Sequence, residues 1–365
     1  MKTDILLHSF LPVLPVHHFA QAKTVDWVLN AHERNDFVNA REPHFDRSKL
    51  ERFTLNENYI QARYVECDDI DEDWEKHSVY RLTEENPFGS TIGVRNKIFG
   101  EKVQRVFGEL YADHTPSHLI HVTCTGYLSP SPPQVYFSHR GSSPGITHAY
   151  HMGCYAAFPA VRMGMGLYLS QNVDIDIVHN ELCSLHLASD THTPEQMVVQ
   201  TLFADGHIKY SLGSANQGLR ILGVKEELIP NSLEDMTWIP DAFGMKMTLS
   251  REVPFKIRDH LPHFVDALCA QCGVLRHELI KDGIFAIHPG GPKIIEAVQK
   301  KLELDEEQVF FSKDVLKKRG NMSSATLPHV WDQIVKSDIS SGTKILSLAF
   351  GPGLTIFGAI FEVKR

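Results

Sequence analysis

The sequence is poor in cysteine, with six in 365 residues. In a chain this long with no export signal, that count fits reduced thiols in a cytoplasm and excludes a disulfide-stapled scaffold. Long apolar runs are also missing: no segment approaches the roughly 20 uninterrupted apolar residues that a membrane span needs. The opening MKTDILLHSFLPVLPVHHFA carries Lys2 and an apolar stretch. Asp4, His8, Pro12 and Pro15 interrupt that stretch too early for a secretory signal, so a first strand and a loop are expected there. Positive charge is scarce as well. Thirty-six Lys and Arg against 45 Asp and Glu leave a formal charge of -9, which excludes a general nucleic-acid binder. What the chain does have is 42% hydrophobic residues, enough for a large core in one big domain or two fused halves. Small molecules are the expected substrates, with no nucleic-acid or membrane partner.

The pattern along the chain is an alternation of strands and helices. AKTVDWVLNAHER spaces Val25, Trp27, Val28 and Ala31 as a helix does. Residues 45–110 are charged and read as short helices with loops, including the acidic, solvated DDIDEDWE. SHLIHVTCTG reads as a buried strand running into the proline-rich loop SPSPPQ. THAYHMGC, DIDIVHNELCS and HIKYSLGS continue as strands, with helices at AVRMGMGLYLSQN and EQMVVQTLFADG between them. A second round starts near Gly223. It comprises the helix VPFKIRDHLPHFVDALCAQCG, the strand GIFAIHP, the helix GPKIIEAVQKKLEL, the segment SSATLPHVWDQIVK and a terminal hairpin KILSLAFGPGLTIFGAIFEVKR. This predicts an α/β protein with helices covering a mixed sheet.

Three polar residues stand out. Cys154 lies where the apolar run HMGC gives way to a helical pattern, and a thiol at a helix start with an imidazole nearby is lowered toward the thiolate. Packing is the ordinary role of an isolated cysteine, so its partners decide. His288 closes an apolar strand and is followed at once by PGGP, a turn that aims a side chain outward at a strand end, where α/β folds gather ligands. Asn321 follows Gly320 and precedes a serine pair suited to starting a helix. An imidazole and an amide NH₂ can together donate two hydrogen bonds to a thioester carbonyl and stabilise an enolate, so the trio suits carbon–carbon bond formation on thioesters. The same three residue types in the same order serve papain-like hydrolases, but there is no CGSCW-like surround. Cys269 and Cys272 form a CxxC within a helical pattern and lack a second ligand pair, which points to core packing rather than zinc. Among 21 histidines, SHLIHV and DTHTP show no metal spacing.

Taken together, IHPGGPKIIEAVQKKLEL, GNMSSA, AFGPGLT and SDTHTPEQMVVQTLFADG resemble segments of the type III polyketide synthases, the chalcone synthase family of thiolase-fold condensing enzymes. The resemblance implies a thiolase fold of two similar halves in an α-β-α-β-α arrangement. Residues 1–222 would carry Cys154, and residues 223–365 would carry His288 and Asn321. It implies a homodimer that joins acyl thioesters by Claisen condensation into β-keto or α-pyrone products. One linear condensation of the ketoacyl-carrier-protein synthase III kind is the alternative within the class, and a Cys-His-Asn hydrolase the alternative outside it.

By the same resemblance Cys154 takes the acyl chain, His288 keeps the thiol ionised, and His288 and Asn321 bind the extender carbonyl. Phe203 matches the residue between pantetheine tunnel and acyl cavity, and Gly351, Pro352 and Gly353 match the loop that shapes the cavity. Cys183 falls near a small cavity-lining position. Met247 replaces a second gatekeeping phenylalanine, which suits flexible aliphatic chains. Ala157 and Phe158 replace a glycine pair of the plant enzymes, so Phe158 is expected in an altered cavity wall. Pro328 enters a segment that is an uninterrupted helix in relatives. No metal or redox cofactor is implied, and CoA or phosphopantetheine serves only as substrate carrier. Glu57 and Asn58 fall near the place where CoA-using relatives carry cations. This leaves an acyl carrier protein as donor, docked on Arg251, Lys256 and Arg258, or CoA held by Arg52, Arg63, Lys209 or Lys246.

Overall fold

The computed structural model describes residues 4–39, 44–71 and 73–365; Lys2 and Glu72, cited above, lie outside them. In chain order the elements are β1 (Leu6–Val13), β2 (His17–Ala20), α1 (Gln21–Val38), α2 (Arg47–Leu50), β3 (Ala62–Val65), α3 (Ile92–Leu110), β4 (His118–Thr123), α4 (Pro132–His139), β5 (Gly145–Tyr150), α5 (Ala157–Gln171), β6 (Ile175–Leu182), α6 (Pro194–Leu202), β7 (Asp205–Gly213) and β8 (Gly218–Leu228). They continue with β9 (Met236–Asp241), β10 (Gly244–Leu249), α7 (Val253–Cys272), α8 (Arg276–Asp282), β11 (Ile284–Ile287), α9 (Pro292–Leu302), α10 (Glu306–Arg319), α11 (Thr326–Lys336), β12 (Lys344–Gly351) and β13 (Thr355–Lys364).

Nine strands form one sheet in the order β11-β12-β13-β8-β1-β7-β6-β4-β5. Counting only the strands of this sheet, each half runs outward from its centre through its first, last, last-but-one and second strands, and the first half adds β5 as an outermost strand. The directions repeat too. The β8–β13 and β13–β12 pairs are antiparallel and β12–β11 is parallel, as β1–β7, β7–β6 and β6–β4 are in turn. Within the sheet the two halves join at the short β1–β8 ladder, Leu6 with Arg220 and Leu7 with Leu219. The boundary expected at 222/223 falls inside β8.

Alternation along the strands distributes side chains between layers. In β4, Ile120 and Val122 face a core shared with α5 and α11, while Leu119 faces α3 and α4 on the other side. In β13, Phe357, Ala359 and Phe361 join the first core, and Ile356 and Ile360 join the one under α7 and α9. Helices α5 and α11 thus lie between the two half-sheets, giving α-β-α-β-α layering. Strands β4 and β6 are buried at every residue, as strands covered on both faces must be.

Several elements differ from their sequence reading. Residues 92–110 form one 19-residue helix, whose Phe99, Val103, Val106, Phe107 and Leu110 make a buried stripe. Its three glycines and dense charges hid that period. SPSPPQ starts α4: Ser131 makes a capping box with Gln134, and Pro132 takes the first helical position, where a missing N–H is harmless. The β9–β10 hairpin and α10 were not read at all. Pro328 is the third residue of α11, within the turn whose N–H groups have no intrahelical acceptor, so the helix runs through it.

Candidate active site

Cys154 lies in the turn between β5 and α5, three residues before the helix begins. Gly153 adopts φ +78°, and a Cβ there would stand 2.5 Å from Pro352 Cδ. A Cβ on Gly351 would fall 2.0 Å from Tyr155 Cδ1. The GPG loop after β12 therefore packs directly on the turn that presents the thiol, and the glycines permit that approach.

Asn321 is held by its backbone. Its N–H donates to Leu202 O at 3.0 Å, and its carbonyl accepts from Ala204 N at 2.8 Å. Its side-chain Oδ1 accepts from Ser323 N at 2.9 Å and from Thr326 Oγ1 at 3.1 Å, which leaves the amide NH₂ as the free end. That amide meets the Cys154 thiol, whose S–H donates to Ser323 Oγ at 3.8 Å. His288 ends β11, its N–H donating to Leu348 O at 2.7 Å. Its ring is buried, and neither ring nitrogen has a hydrogen-bond partner among the described residues. Leu202, whose carbonyl holds Asn321 N, has its side chain 3.9 Å from where a Cβ on Gly291 would be, in the turn that follows His288.

Burial dominates the electrostatics. It pushes the Cys154 thiol up to about 12, against the hydrogen bonds of Ser323 and Asn321, which pull it down. It lowers His288 to about 3. Thiol and imidazole are both neutral in the free protein, and no hydrogen bond joins them, contrary to the thiolate expected from the sequence. Alkylation of Cys154 by iodoacetamide should therefore accelerate about tenfold per pH unit between roughly pH 7 and 9, since only the thiolate reacts. A rate independent of pH, read by intact mass, would mean that the imidazole already holds the proton.

The thiol opens on a narrow cavity whose lining includes Cys183, Phe203, Met247, Pro352, Ser323 and Trp238. Glu181 braces its back. This buried carboxyl, raised by burial, accepts from Cys124 N at 3.0 Å, from Thr125 Oγ1 at 2.8 Å and from Ser324 Oγ. It ties the loop after β4 to the turn that carries Asn321.

The family model for "Chalcone and stilbene synthases, C-terminal domain" matches residues 221–363. A probable polyketide synthase of Dictyostelium discoideum is 32% identical over 257 residues, covering 67% of this chain and 8% of that protein. A 3,5-dihydroxyphenylacetyl-CoA synthase of Amycolatopsis orientalis is 27% identical over 254 residues, covering 67% of this chain and 68% of the other. The solved C-terminal type III polyketide synthase domain of Steely1 from Dictyostelium superposes with TM-score 0.85 at 24% identity, over 99% of this chain and 100% of that one. Residues 221–363 match the chalcone and stilbene synthases, and the chain is similar to type III polyketide synthases. Its fold is the thiolase fold of those enzymes; polyketide synthase PKS-I of the brown alga Ectocarpus siliculosus superposes with TM-score 0.85 at 20% identity, over 100% of this chain and 99% of that one. The chain spans about 8% of the length of its Dictyostelium relative.

The anticipated residues divide. Cys154, Cys183, Phe203, Met247 and Pro352 line the cavity, with Asn321 at the thiol, while Gly351 and Gly353 act through their backbone. Phe158 does not line it. Its ring stacks on Phe357 at 4.9 Å and meets Trp331 edge-on at 5.6 Å, so it is core of the central helical layer. Cys269 is buried and unpaired with Cys272, consistent with packing.

The cations offered for CoA also divide. Arg63 is buried and donates to the carbonyls of Gln200 and Phe203, and Lys209 is buried beside Asp176, so neither is available to a phosphate. Lys246, Lys256 and Arg258 are paired with carboxylates. Arg52 and Arg251 are exposed, as are Glu57 and Asn58, and neither arginine has a carboxylate partner among the described residues. Ser323 and Trp238 were not singled out from the sequence. Ser323 stood in the quoted GNMSSA motif, but Trp238 lay in the hairpin that went unread.

Proposed function

We propose that this synthase joins acyl thioesters by Claisen condensation through an acyl-Cys154 intermediate, releasing a β-keto or α-pyrone polyketide. Cys154 passes its proton to His288 as the thiolate attacks the thioester carbonyl. The acyl–sulfur bond to the carrier breaks, and the departing carrier thiolate takes up that proton. An extender thioester then binds with its carbonyl oxygen facing the His288 imidazole and the Asn321 amide. Decarboxylation or deprotonation of the extender gives an enolate, which those two donors stabilise. Its α-carbon attacks the acyl-cysteine carbonyl, a carbon–carbon bond forms, and the bond to Cys154 Sγ breaks.

The observation that carries this reading is the buried His288 ring with two unpartnered nitrogens. An unpaired buried polar group costs about 1–3 kcal/mol, and such a group persists where function needs it. Asn321 Oδ1 is tied back, so its NH₂ also remains free to donate. The chemistry involves no change of oxidation state, so no metal or redox cofactor belongs to the proposal.

A homodimer is part of the same reading. β5 ends the sheet with one edge unpaired among the described residues, and a second copy would cover it. The acyl group arrives on CoA or on a carrier protein in a reducing cytoplasm. No described helix is long and apolar enough to cross a membrane.

Incubation with a panel of acyl thioesters and a malonyl thioester, followed by mass spectrometry of protein and products, tests the function. A mass gain on Cys154 and products with a new carbon–carbon bond are expected. Release of free acid alone would replace the synthase reading with the hydrolase one.

A further inference from the structure

The DTHTP motif has no part in the site described above, and its histidine belongs to a separate cluster. His192 stands two residues before α6, beside the cap residue Thr193, whose side chain accepts from Gln196 N at 3.2 Å. Its Nε2 lies 2.8 Å from Asp36 Oδ1, and its Nδ1 lies 2.8 Å from Nδ1 of the buried His32, both partners coming from α1. Nε2 of His32 lies 3.2 Å from Gln200 Oε1 on α6. Phe45 packs on both rings, with centroids 5.2 Å from His32 and 5.3 Å from His192. The other oxygen of Asp36 accepts from the N–H groups of His44 and Phe45 at 2.9 and 2.5 Å.

These contacts require one more proton than two neutral imidazoles hold. Gln200 Nε2 donates to Ala188 O at 2.9 Å and to Gln196 Oε1 at 3.5 Å, which fixes the amide and leaves its Oε1 to accept. His32 Nε2 therefore carries a hydrogen. Against its burial, the Phe45 N–H and His192 hold the Asp36 carboxyl below its usual value, so it is ionised and His192 Nε2 carries a hydrogen for it. Between the two Nδ1 atoms one hydrogen has to stand. Three N–H groups on four ring nitrogens make the pair a cation, balanced by Asp36. Burial, with the His192 charge beside it, lowers His32 to about 3, which puts the third proton on His192. The other charges on the surrounding elements have partners of their own: Arg47 pairs with Glu33 and Asp26, Asp190 with Lys246, and Glu195 accepts from Leu249 N.

The consequence lies at the far end of α6. Gln196 Nε2 donates to Met247 O at 2.8 Å, which ties the start of the helix to β10. The helix ends at Leu202, whose carbonyl accepts from Asn321 N, and Ala204 N donates to Asn321 O. We propose that His192 is a positioning residue for the condensation: sharing three protons with His32, and with Asp36 as counter-charge, it fixes α6 and thereby the Asn321 amide that α6 holds. This rests on the reading of Cys154, His288 and Asn321 given above. Withdrawing the third proton sets two lone pairs against each other at one of the three contacts, and the repulsion falls on the helix. Gln21 and Arg63 also hold α6, donating to Thr201 O at 2.8 Å and to Gln200 O at 2.7 Å, so the helix shifts rather than unfolds.

Asp36→Asn is the isosteric test. Its amide NH₂ can donate to His192 Nε2 while its oxygen still accepts from His44 and Phe45, so every bond in the chain survives with two ring protons instead of three. Nitrogen-15 NMR of the histidine rings near neutral pH, assigned with His192→Ala or His32→Gln, should count three protonated nitrogens in the wild-type pair and two in Asp36→Asn. Product formation from enzyme preloaded on Cys154 gives the functional readout, because an acylated thiol cannot titrate and burial holds His288 at about 3. The wild-type rate should fall about tenfold between roughly pH 7 and 9 as the third proton leaves, and the Asp36→Asn rate should change less than about twofold. His192→Ala should slow this step about tenfold or more, since displacing a reacting group by about 1 Å costs on the order of 10², while self-acylation changes less than about twofold. If thermal denaturation shows that His192→Ala does not fold, the Asp36→Asn profile decides. Two protons on the wild-type pair, or an equal fall with pH in wild type and Asp36→Asn, overturns the positioning role alone. Absence of acyl mass from every thioester overturns the condensing reading and the positioning role with it.

Discussion

Cys154→Ala will fold, gain no acyl mass and form no product. The substitution removes a small, largely buried side chain whose polar contacts are the distant Ser323 hydroxyl and the Asn321 amide, so the protein should lose no more than about 1 kcal/mol of stability. The loss in turnover is of another order, since deleting the nucleophile of a covalent mechanism costs on the order of 10⁶ in kcat. Two other thiols make the measurement informative. Cys124 and Cys183 line the same cavity, and burial raises both well above an ordinary thiol. Cys124 Sγ also accepts the Gly153 N–H at 3.0 Å. An acyl adduct that persists in Cys154→Ala would move the nucleophile to one of these two and undo the mechanism proposed here.

The parts of this site legible in the sequence are those whose signal is local. His288 announces itself because a strand must end before PGGP, and Asn321 because GNMSSA compresses a bridge, a turn and a helix start into six residues. The two-half plan was readable because each strand is a short apolar run bounded by turn residues. What escaped depends on contacts distant in the chain. Trp238 stands 114 residues from the Cys124 carbonyl that fixes it. Glu181 is bonded to Ser324 across 143 residues. Phe158 shows the converse error. Its neighbourhood beside Cys154 suggested a cavity wall, but the first turn of α5 points it into Phe357 and Trp331, which sequence distance concealed. The neutral thiol was equally hidden, because a helix start and a histidine are visible in sequence while the depth of burial that outweighs them is not.

Asn321→Ala and His288→Ala will fail at different steps. An imidazole can accept and return a proton, whereas an amide only donates or accepts hydrogen bonds. With a neutral thiol at about 12, acylation requires the proton to leave Sγ as the thioester arrives, and the imidazole is the proposed group to take it. His288→Ala should therefore slow both self-acylation and condensation. Asn321→Ala should still self-acylate, because Ser323 Oγ remains at the thiol, but should lose condensation by roughly 10²–10³, the cost of one donor to a developing oxyanion. It will also orphan Ser323 N, an expense of about 1–3 kcal/mol that thermal denaturation will register separately from the chemistry, while Thr326 Oγ1 keeps its bonds to Ser323 O and Met322 N. Single-turnover acylation followed by intact mass, beside product formation from the preloaded enzyme, separates the two steps. Equal loss of acylation in both variants would leave the imidazole no role that the amide lacks, and the division of labour would fall.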